Sequence, residues 1–151
     1  MPKVILLSGV PGSGKSYFTK SLVSENSVVC SADHFFEQKG TYKFDPAKLG
    51  DAHGACLRKF AETLMASAED PNYCDVLIVD NTNTSTLELA PYVALCQAYN
   101  IVPELVTVIC DASTAYSRCT HGVPLGAIQR MSAAIKDRKL PPYWDVKETM
   151  K

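Results

Sequence analysis

The stretch Gly9-Val10-Pro11-Gly12-Ser13-Gly14-Lys15-Ser16 constrains this chain more than any other. It matches GxxxxGK[ST] at every position, and its flanks are those the pattern requires. Lys3–Ser8, which contains Val4-Ile5-Leu6-Leu7, is rich in strand-forming residues, and Ser16–Val23 continues as a helix. A strand running into a glycine-rich turn and then a helix aims backbone N–H groups at one spot and favours negative charge there. Lys15 adds a mobile cation for the β- and γ-phosphates, and Ser16 offers a hydroxyl to Mg²⁺. Pro11 among three glycines specifies a rigid loop rather than a floppy link. The expectation is ATP with Mg²⁺, held by Gly9, Pro11, Gly12, Ser13, Gly14, Lys15 and Ser16.

Length and composition narrow the setting. A chain of 151 residues, 46 % hydrophobic and 21 % charged, reads as one domain over 1–151 with a real core. No apolar run approaches the roughly 18 residues that a membrane span needs. Met1-Pro2-Lys3 leads straight into a strand, which leaves no room for a secretory signal and predicts a cytoplasmic protein. A net charge of −1 argues against a broad duplex-binding surface, but allows a local basic cleft for a strand end or a single nucleotide. Cys30, Cys56, Cys74, Cys96, Cys110 and Cys119 have no C-x-x-C or zinc-finger spacing, and His34, His53 and His121 are not spaced as a metal cluster. Reduced, mostly buried thiols and no structural metal are expected.

Along the chain, apolar runs and helical patterns alternate. A helix is expected over Lys15–Glu25, then a short strand at Val28–Ser31 and an aromatic loop or flap over Phe35–Asp45. Asp45 caps a helix opened by Pro46, whose apolar residues Leu49, Ala52, Cys56, Phe60, Leu64 and Ala68 recur near helical spacing. Asp75–Asp80 is a strand apolar enough to be covered on both faces. A helix to about Asn100, broken or bent near Pro91, leads to a strand over Val102–Cys110. Asp111–Cys119 and Leu125–Lys136 read as helices, and Leu140–Trp144 as packed extended chain. The class is α/β, three layers, with at least four parallel strands joined by βαβ crossovers. Helices and turn within about 112–137 make a small helical lid.

Ligands of such sheets gather at the C-terminal strand ends. Those ends carry Asp33-His34, Asp80-Asn81-Thr82 and Asp111 beside the phosphate loop. A hydroxyl that accepts a phosphoryl group needs orientation and a place for its proton, and Asp33 can supply both; it could instead only cap a helix starting near His34, or face Mg²⁺. His34 could share that work, bind substrate or lie at the surface. Asp80 stands where an acid organises Mg²⁺, directly or through water; Asn81 and Thr82 could bind acceptor or phosphate oxygens, or merely build a turn. Asp111 reads as a helix cap. Arg118 and Arg130 flank His121-Gly122-Val123-Pro124 from two helices, placed to meet phosphate oxygens and close the lid; Arg58 and Arg138 are weaker candidates. Phe35, Phe36, Tyr42 and Phe44 could stack on a nucleobase or form a satellite core.

Over residues 3–137 the chain resembles the small P-loop kinases related to the kinase domain of phage polynucleotide 5'-hydroxyl kinase, including the ATP-binding domains of the Nedd4-binding protein type. The resemblance is carried by Gly9–Ser16, by Ser31-Ala32-Asp33-His34-Phe35-Phe36, by Val79-Asp80-Asn81-Thr82-Asn83, and by Arg118 with His121–Pro124 and Ile128–Met131. It implies a P-loop NTPase fold and an ATP-dependent kinase. In it Lys15 and Ser16 hold phosphate and metal, Asp33 activates the acceptor hydroxyl, Asp80-Asn81-Thr82 line the substrate side with His34 and His121, and Arg118 acts from the lid. There are departures. Phe36 stands where the phage enzyme has the arginine that holds the acceptor's phosphate, and a second lid arginine is replaced near His121. Asp33–Phe44, with Gly40 and Tyr42, is closer to the Nedd4-binding type. The expected partner is therefore a nucleic-acid 5' end or a small hydroxylated substrate such as a nucleoside, nucleotide or modified base. A nucleotide-hydrolysing switch or binding protein is the alternative class.

Overall fold

The computed structural model describes residues 1–37 and 42–151; Gly40 and its neighbours in the expected flap lie outside the described residues. The elements in chain order are β1 (Lys3–Ser8), α1 (Lys15–Leu22), β2 (Ser27–Cys30), α2 (Asp33–Phe36), α3 (Leu49–Glu69, entered through a 3-10 turn at Pro46–Lys48), β3 (Val76–Asp80), α4 (Thr86–Ala98), β4 (Glu104–Thr107), α5 (Ala112–Arg118), α6 (Leu125–Asp137) and β5 (Lys147–Met150). The strands form one parallel sheet in the order β2-β3-β1-β4-β5.

The apolar runs explain the layers. Alternate residues of β1 point to opposite faces. Val4 and Leu6 join Leu77, Val79 and Leu105 beneath Phe60 and Leu64 of α3 and Leu89 and Val93 of α4. Ile5 and Leu7 join Ile78 and Val106 on the other face, against Phe18 and Leu22 of α1. Helices therefore cover both faces of the sheet, the three-layer α/β arrangement expected. Phe60 is fully buried with its ring edge-on to Tyr92; truncating such a side chain to alanine costs about 3–5 kcal/mol.

Four expectations are adjusted. Helix α1 stops at Leu22 rather than Glu25, because Ser27 Oγ accepts from the Ser24 N–H and donates to the Ser24 carbonyl, a local turn that outcompetes another helical turn. The loop expected from Phe35 is preceded by a helical turn, Asp33–Phe36, at whose start the Asp33 N–H donates to Ser31 Oγ. Helix α4 runs unbroken through Pro91: a capping box between Ser85 and Glu88 anchors its start, and Leu87, whose carbonyl loses its partner to the proline, lies on the exposed face. Strand β4 is shorter than Val102–Cys110. The sheet has five strands where at least four were expected: the polar segment Lys147–Met150 adds β5 at the edge, while Leu140 and Trp144 pack on the main core as expected. No helix among the described residues is long and apolar enough to cross a membrane.

Candidate nucleotide and phosphoryl-transfer site

The strand order sets the location. From β1 the chain crosses through α1 on one face toward β2; from the neighbouring β3 it crosses through α4 on the other face toward β4. The two connections diverge, which opens a crevice at the C-terminal ends of β1 and β3. The Gly9–Ser16 loop leaves β1 there, and Asp80–Asn83 leaves β3. The two exits are bonded together: the Gly9 N–H donates to the Thr82 carbonyl (3.0 Å), Ser8 Oγ to the Asn83 carbonyl (2.9 Å), and Asn83 Nδ2 to the Leu7 carbonyl (2.7 Å). Asn83 adopts a left-handed backbone (φ 44°), a conformation that asparagine tolerates better than most residues.

The loop is built for an anion. Gly14 precedes α1 with no side-chain cap and no acid in the first turn, so the first N–H groups of α1 face the crevice without an internal acceptor. Ser13 Oγ is buried without a hydrogen-bond partner among the described residues, an orphan that a phosphate oxygen would satisfy. A Cβ on Gly9 would approach Ser13 Oγ to 2.8 Å and the Lys15 stem to 3.1 Å, so that position has no room for a side chain. Ser16 is exposed.

Lys15 joins the strand ends electrostatically. Burial lowers its pKa, and the charges of Asp80, then Asp33, then Cys119 work in the opposite direction. The cation thus lies in the field of both carboxylates. Asp80 is fixed by Thr19 of α1, whose hydroxyl donates to Asp80 Oδ2 at 3.0 Å. Together Ser16 and Asp80 offer a hydroxyl and a carboxylate, oxygen donors of the kind Mg²⁺ takes alongside phosphate and water; no group of three or more His, Cys, Asp or Glu side chains forms a metal cluster among the described residues.

On the other side of the crevice, Asn81 is buried and its amide is occupied: Oδ1 accepts from the Ala32 N–H (2.9 Å) and Nδ2 reaches Cys56 Sγ (3.4 Å). It therefore sets the position of the backbone just before Asp33. Thr82 contributes its carbonyl to Gly9 and Ser8. His34 is exposed on α2. Phe36 is buried with Ala32 and Ala52, with Phe35 and Tyr42 packed against them, so this aromatic group is a satellite core.

Helix α5 rests on the loop, since a Cβ on Gly12 would collide with the Ala115 carbonyl; Val10, Ala115 and Ile128 form the apolar seam beneath. Asp111 caps α5, accepting from the Thr114 N–H. Arg118 and Arg130 are exposed, and Arg130 lies back over Gly126 of its own helix. His121 is exposed, yet its ring stacks on Tyr42 at 4.2 Å.

Two contributors were not singled out as such from the sequence. Thr19, in the helix behind Lys15, carries no motif of its own. Arg138, read as a weak candidate for phosphate, instead donates to Ser8 Oγ (2.6 Å), the Asn83 carbonyl (2.7 Å) and Thr107 Oγ1 (2.9 Å), tying the ends of β1, β3 and β4 together. Burial lowers its pKa, opposed by Glu148 and Glu88. Its only sequence signal is an arginine immediately after a lid helix.

A family model described as an AAA domain matches residues 4–121. That is well over half of the chain, and the chain belongs to this family. Human NEDD4-binding protein 2 is 37 % identical over 98 residues, which cover 64 % of this chain and 5 % of that protein. The chain thus corresponds to a small part of that relative's length. Among solved structures, one titled as the Pnkp1/Rnl/Hen1 RNA repair complex superposes with a TM-score of 0.66 at 22 % identity, covering 89 % of this chain and 44 % of the other. A sugar kinase from Janibacter superposes with a TM-score of 0.60 at 16 % identity, covering 99 % and 86 %. The structural likenesses show a shared α/β fold of P-loop NTPase-like architecture.

Proposed function

We propose that this AAA-domain family member is an ATP-dependent kinase that moves the γ-phosphate in line to an acceptor hydroxyl, with a polynucleotide 5'-hydroxyl as the first candidate. The observation that carries the reading is the electrostatic grouping of Lys15 with Asp33 and Asp80 at the sheet crevice. A loop that binds phosphate needs Lys15 alone; Asp33, on a separate strand end, adds a carboxylate for the incoming nucleophile. The fold shared with a chain of the RNA repair complex supports a nucleic-acid setting, as does the resemblance to phage polynucleotide kinases.

The chemistry then divides among this chain's own residues. The loop N–H groups and Ser13 hold the β- and γ-phosphates, and Lys15 stabilises charge that develops on the transferring group. Ser16 and Asp80 would hold Mg²⁺, which when bound neutralises and orients the phosphates. Asp33 orients the acceptor hydroxyl and takes its proton. Arg118 and Arg130 would turn toward the phosphates when α5 and α6 act as a lid. His34, Thr82 and His121 border the acceptor side, where Asn81 holds Asp33 in place. Six free cysteines fit a reducing, cytoplasmic compartment.

One observation favours a second acceptor class. Phe36, where the phage enzyme carries its phosphate-holding arginine, is buried in the satellite core. An acceptor without a phosphate, such as a nucleoside or modified base, requires no arginine there. A labelled-ATP transfer screen against 5'-hydroxyl oligonucleotides, nucleosides, nucleotides and hydroxylated bases separates the classes. Label recovered only as free phosphate would overturn the kinase reading in favour of a hydrolysing switch.

A further inference from the structure

Tyr42 packs on the satellite core and makes two further contacts that this place does not require. Its ring meets the edge of buried Phe36 at 6.2 Å. Its opposite commitment is to His121, between α5 and α6, where the two rings are nearly parallel (9°) with centroids 4.2 Å apart. Its hydroxyl donates to Asp33 Oδ1 at 3.5 Å. One side chain thus joins the α2 side of the crevice, the carboxylate at the end of β2, and the helix pair resting on the phosphate loop.

We propose that Tyr42 is a resident occupant of the acceptor seat: its hydroxyl takes the position on Asp33 that an acceptor hydroxyl or a water would take, and His121 holds its ring there until an acceptor displaces it. The proposal rests on the reading of Asp33 as the acceptor-orienting base. The phenol pKa is pushed up to about 12, by burial first and then by the Asp33 charge, so Tyr42 stays protonated at neutral pH and donates. The bond is long. A hydroxyl-to-carboxylate bond of good geometry spans about 2.5–2.7 Å and is correspondingly stronger, so a well-placed acceptor outcompetes the phenol. A passing water, lacking other contacts, does not. The device would restrict transfer to hydroxyls that bring binding energy of their own and would suppress wasteful hydrolysis of ATP.

Tyr42→Phe removes the donor and keeps the ring against His121 and Phe36. Acceptor-independent ATP hydrolysis by this variant should rise by about three- to tenfold, the effect of one net hydrogen bond, and the rise should vanish in Tyr42→Phe/Asp33→Asn. For any acceptor that is turned over, KM should fall by a similar factor with kcat and the KM for ATP unchanged; a purely structural tyrosine would move the melting temperature and none of these. The His121 Cε1 proton should be shifted upfield by the stacked ring in the wild type and in Tyr42→Phe, and should return toward its ordinary position in Tyr42→Ala. Unchanged hydrolysis in Tyr42→Phe, or no ring-current shift on His121, overturns the proposal and leaves the kinase reading standing. Full transfer activity in Asp33→Asn alone would instead overturn the reading on which it rests.

Discussion

Replacing Gly12 by alanine should unseat α5 from the phosphate loop. Gly12 has φ +82°, and an added Cβ would lie 2.0 Å from the Ala115 carbonyl oxygen, 2.9 Å from its carbon and 3.1 Å from the Cys119 nitrogen. Carbon and carbonyl oxygen settle at about 3.3–3.6 Å, so the loop and α5 must part by more than an ångström. All three obstructing atoms are backbone, and no rotamer change relieves them. The helix has to retreat as a unit and open the seam of Val10, Ala115 and Ile128. The left-handed backbone alone costs about 1–2 kcal/mol for alanine, and overpacking typically adds about 1–3 kcal/mol. Gly14 is the internal control: it also has positive φ (+104°), but its Cβ would meet nothing within 4 Å. Gly14→Ala therefore carries the conformational part alone. Urea denaturation of the two variants should differ by about 1–3 kcal/mol, and each kcal/mol should move the melting temperature by about 2–4 °C in a domain of this size. Hydrogen exchange at the Cys119 amide should accelerate in Gly12→Ala only. Equal stability of the two variants, with unchanged exchange at Cys119, would refute the seating of α5 on the loop.

Asp33→Asn should keep ATP affinity, measured by calorimetry, and lose about 10²–10⁴ in transfer rate, the range for a general base. Arg138→Ala should destabilise the chain by about 2–4 kcal/mol, read from urea midpoints, because charge-assisted bonds contribute about 1.5–3 kcal/mol each and do not add fully. Arg138→Lys should not restore it, since an ammonium cannot fork to Ser8, Asn83 and Thr107 together. Lys15→Met should abolish ATP binding while leaving the nucleotide-free protein at least as resistant to urea at pH 7 as the wild type.

The donor side was legible in the sequence because it is local. Gly9–Ser16 is one uninterrupted segment whose residue types are dictated by backbone geometry, and the parallel sheet follows from apolar runs such as Val4–Leu7 and Leu77–Val79 that only two-faced burial tolerates. Caps were legible for the same reason, as Asp45 and Asp111 show. What was not legible is long-range. Arg138 reaches across three strand ends, Thr19 reaches Asp80 from the helix behind the loop, and Tyr42 meets His121 through a fold-dependent approach of segments distant in the chain. Strand β5 was missed because Lys-Glu-Thr-Met has no apolar alternation; it pairs as an edge through backbone bonds, with the Thr149 hydroxyl donating to Glu104 Oε1 of β4. Pro91 misled in the other direction, since its missing N–H falls where solvent can serve the lost carbonyl.

The charge balance at Lys15 links stability to function. Burial holds its pKa below the ordinary lysine value even though Asp80, Asp33 and Cys119 pull upward. A lysine with a lowered folded pKa binds fewer protons in the folded state than in the unfolded one at any pH between the two values. Stability therefore rises with pH through that window, up to the ordinary lysine value of 10.5, and the full penalty stands below the folded value. The charged form of Lys15 thus carries a burial penalty that its local carboxylates do not offset. Methionine in its place removes that penalty, along with the reason for it, and removes the alkaline gain in stability as well. Nucleotide phosphates supply the missing negative charge at the same point, where Ser13 Oγ and the first N–H groups of α1 also lack partners. Nucleotide binding should consequently stabilise the wild type more at pH 7 than at pH 10, because at the higher pH a larger share of Lys15 has already shed its proton. A stabilisation by ATP that stayed the same at pH 7 and pH 10 would mean that the attraction of Asp80 and Asp33 offsets burial and keeps this lysine charged throughout.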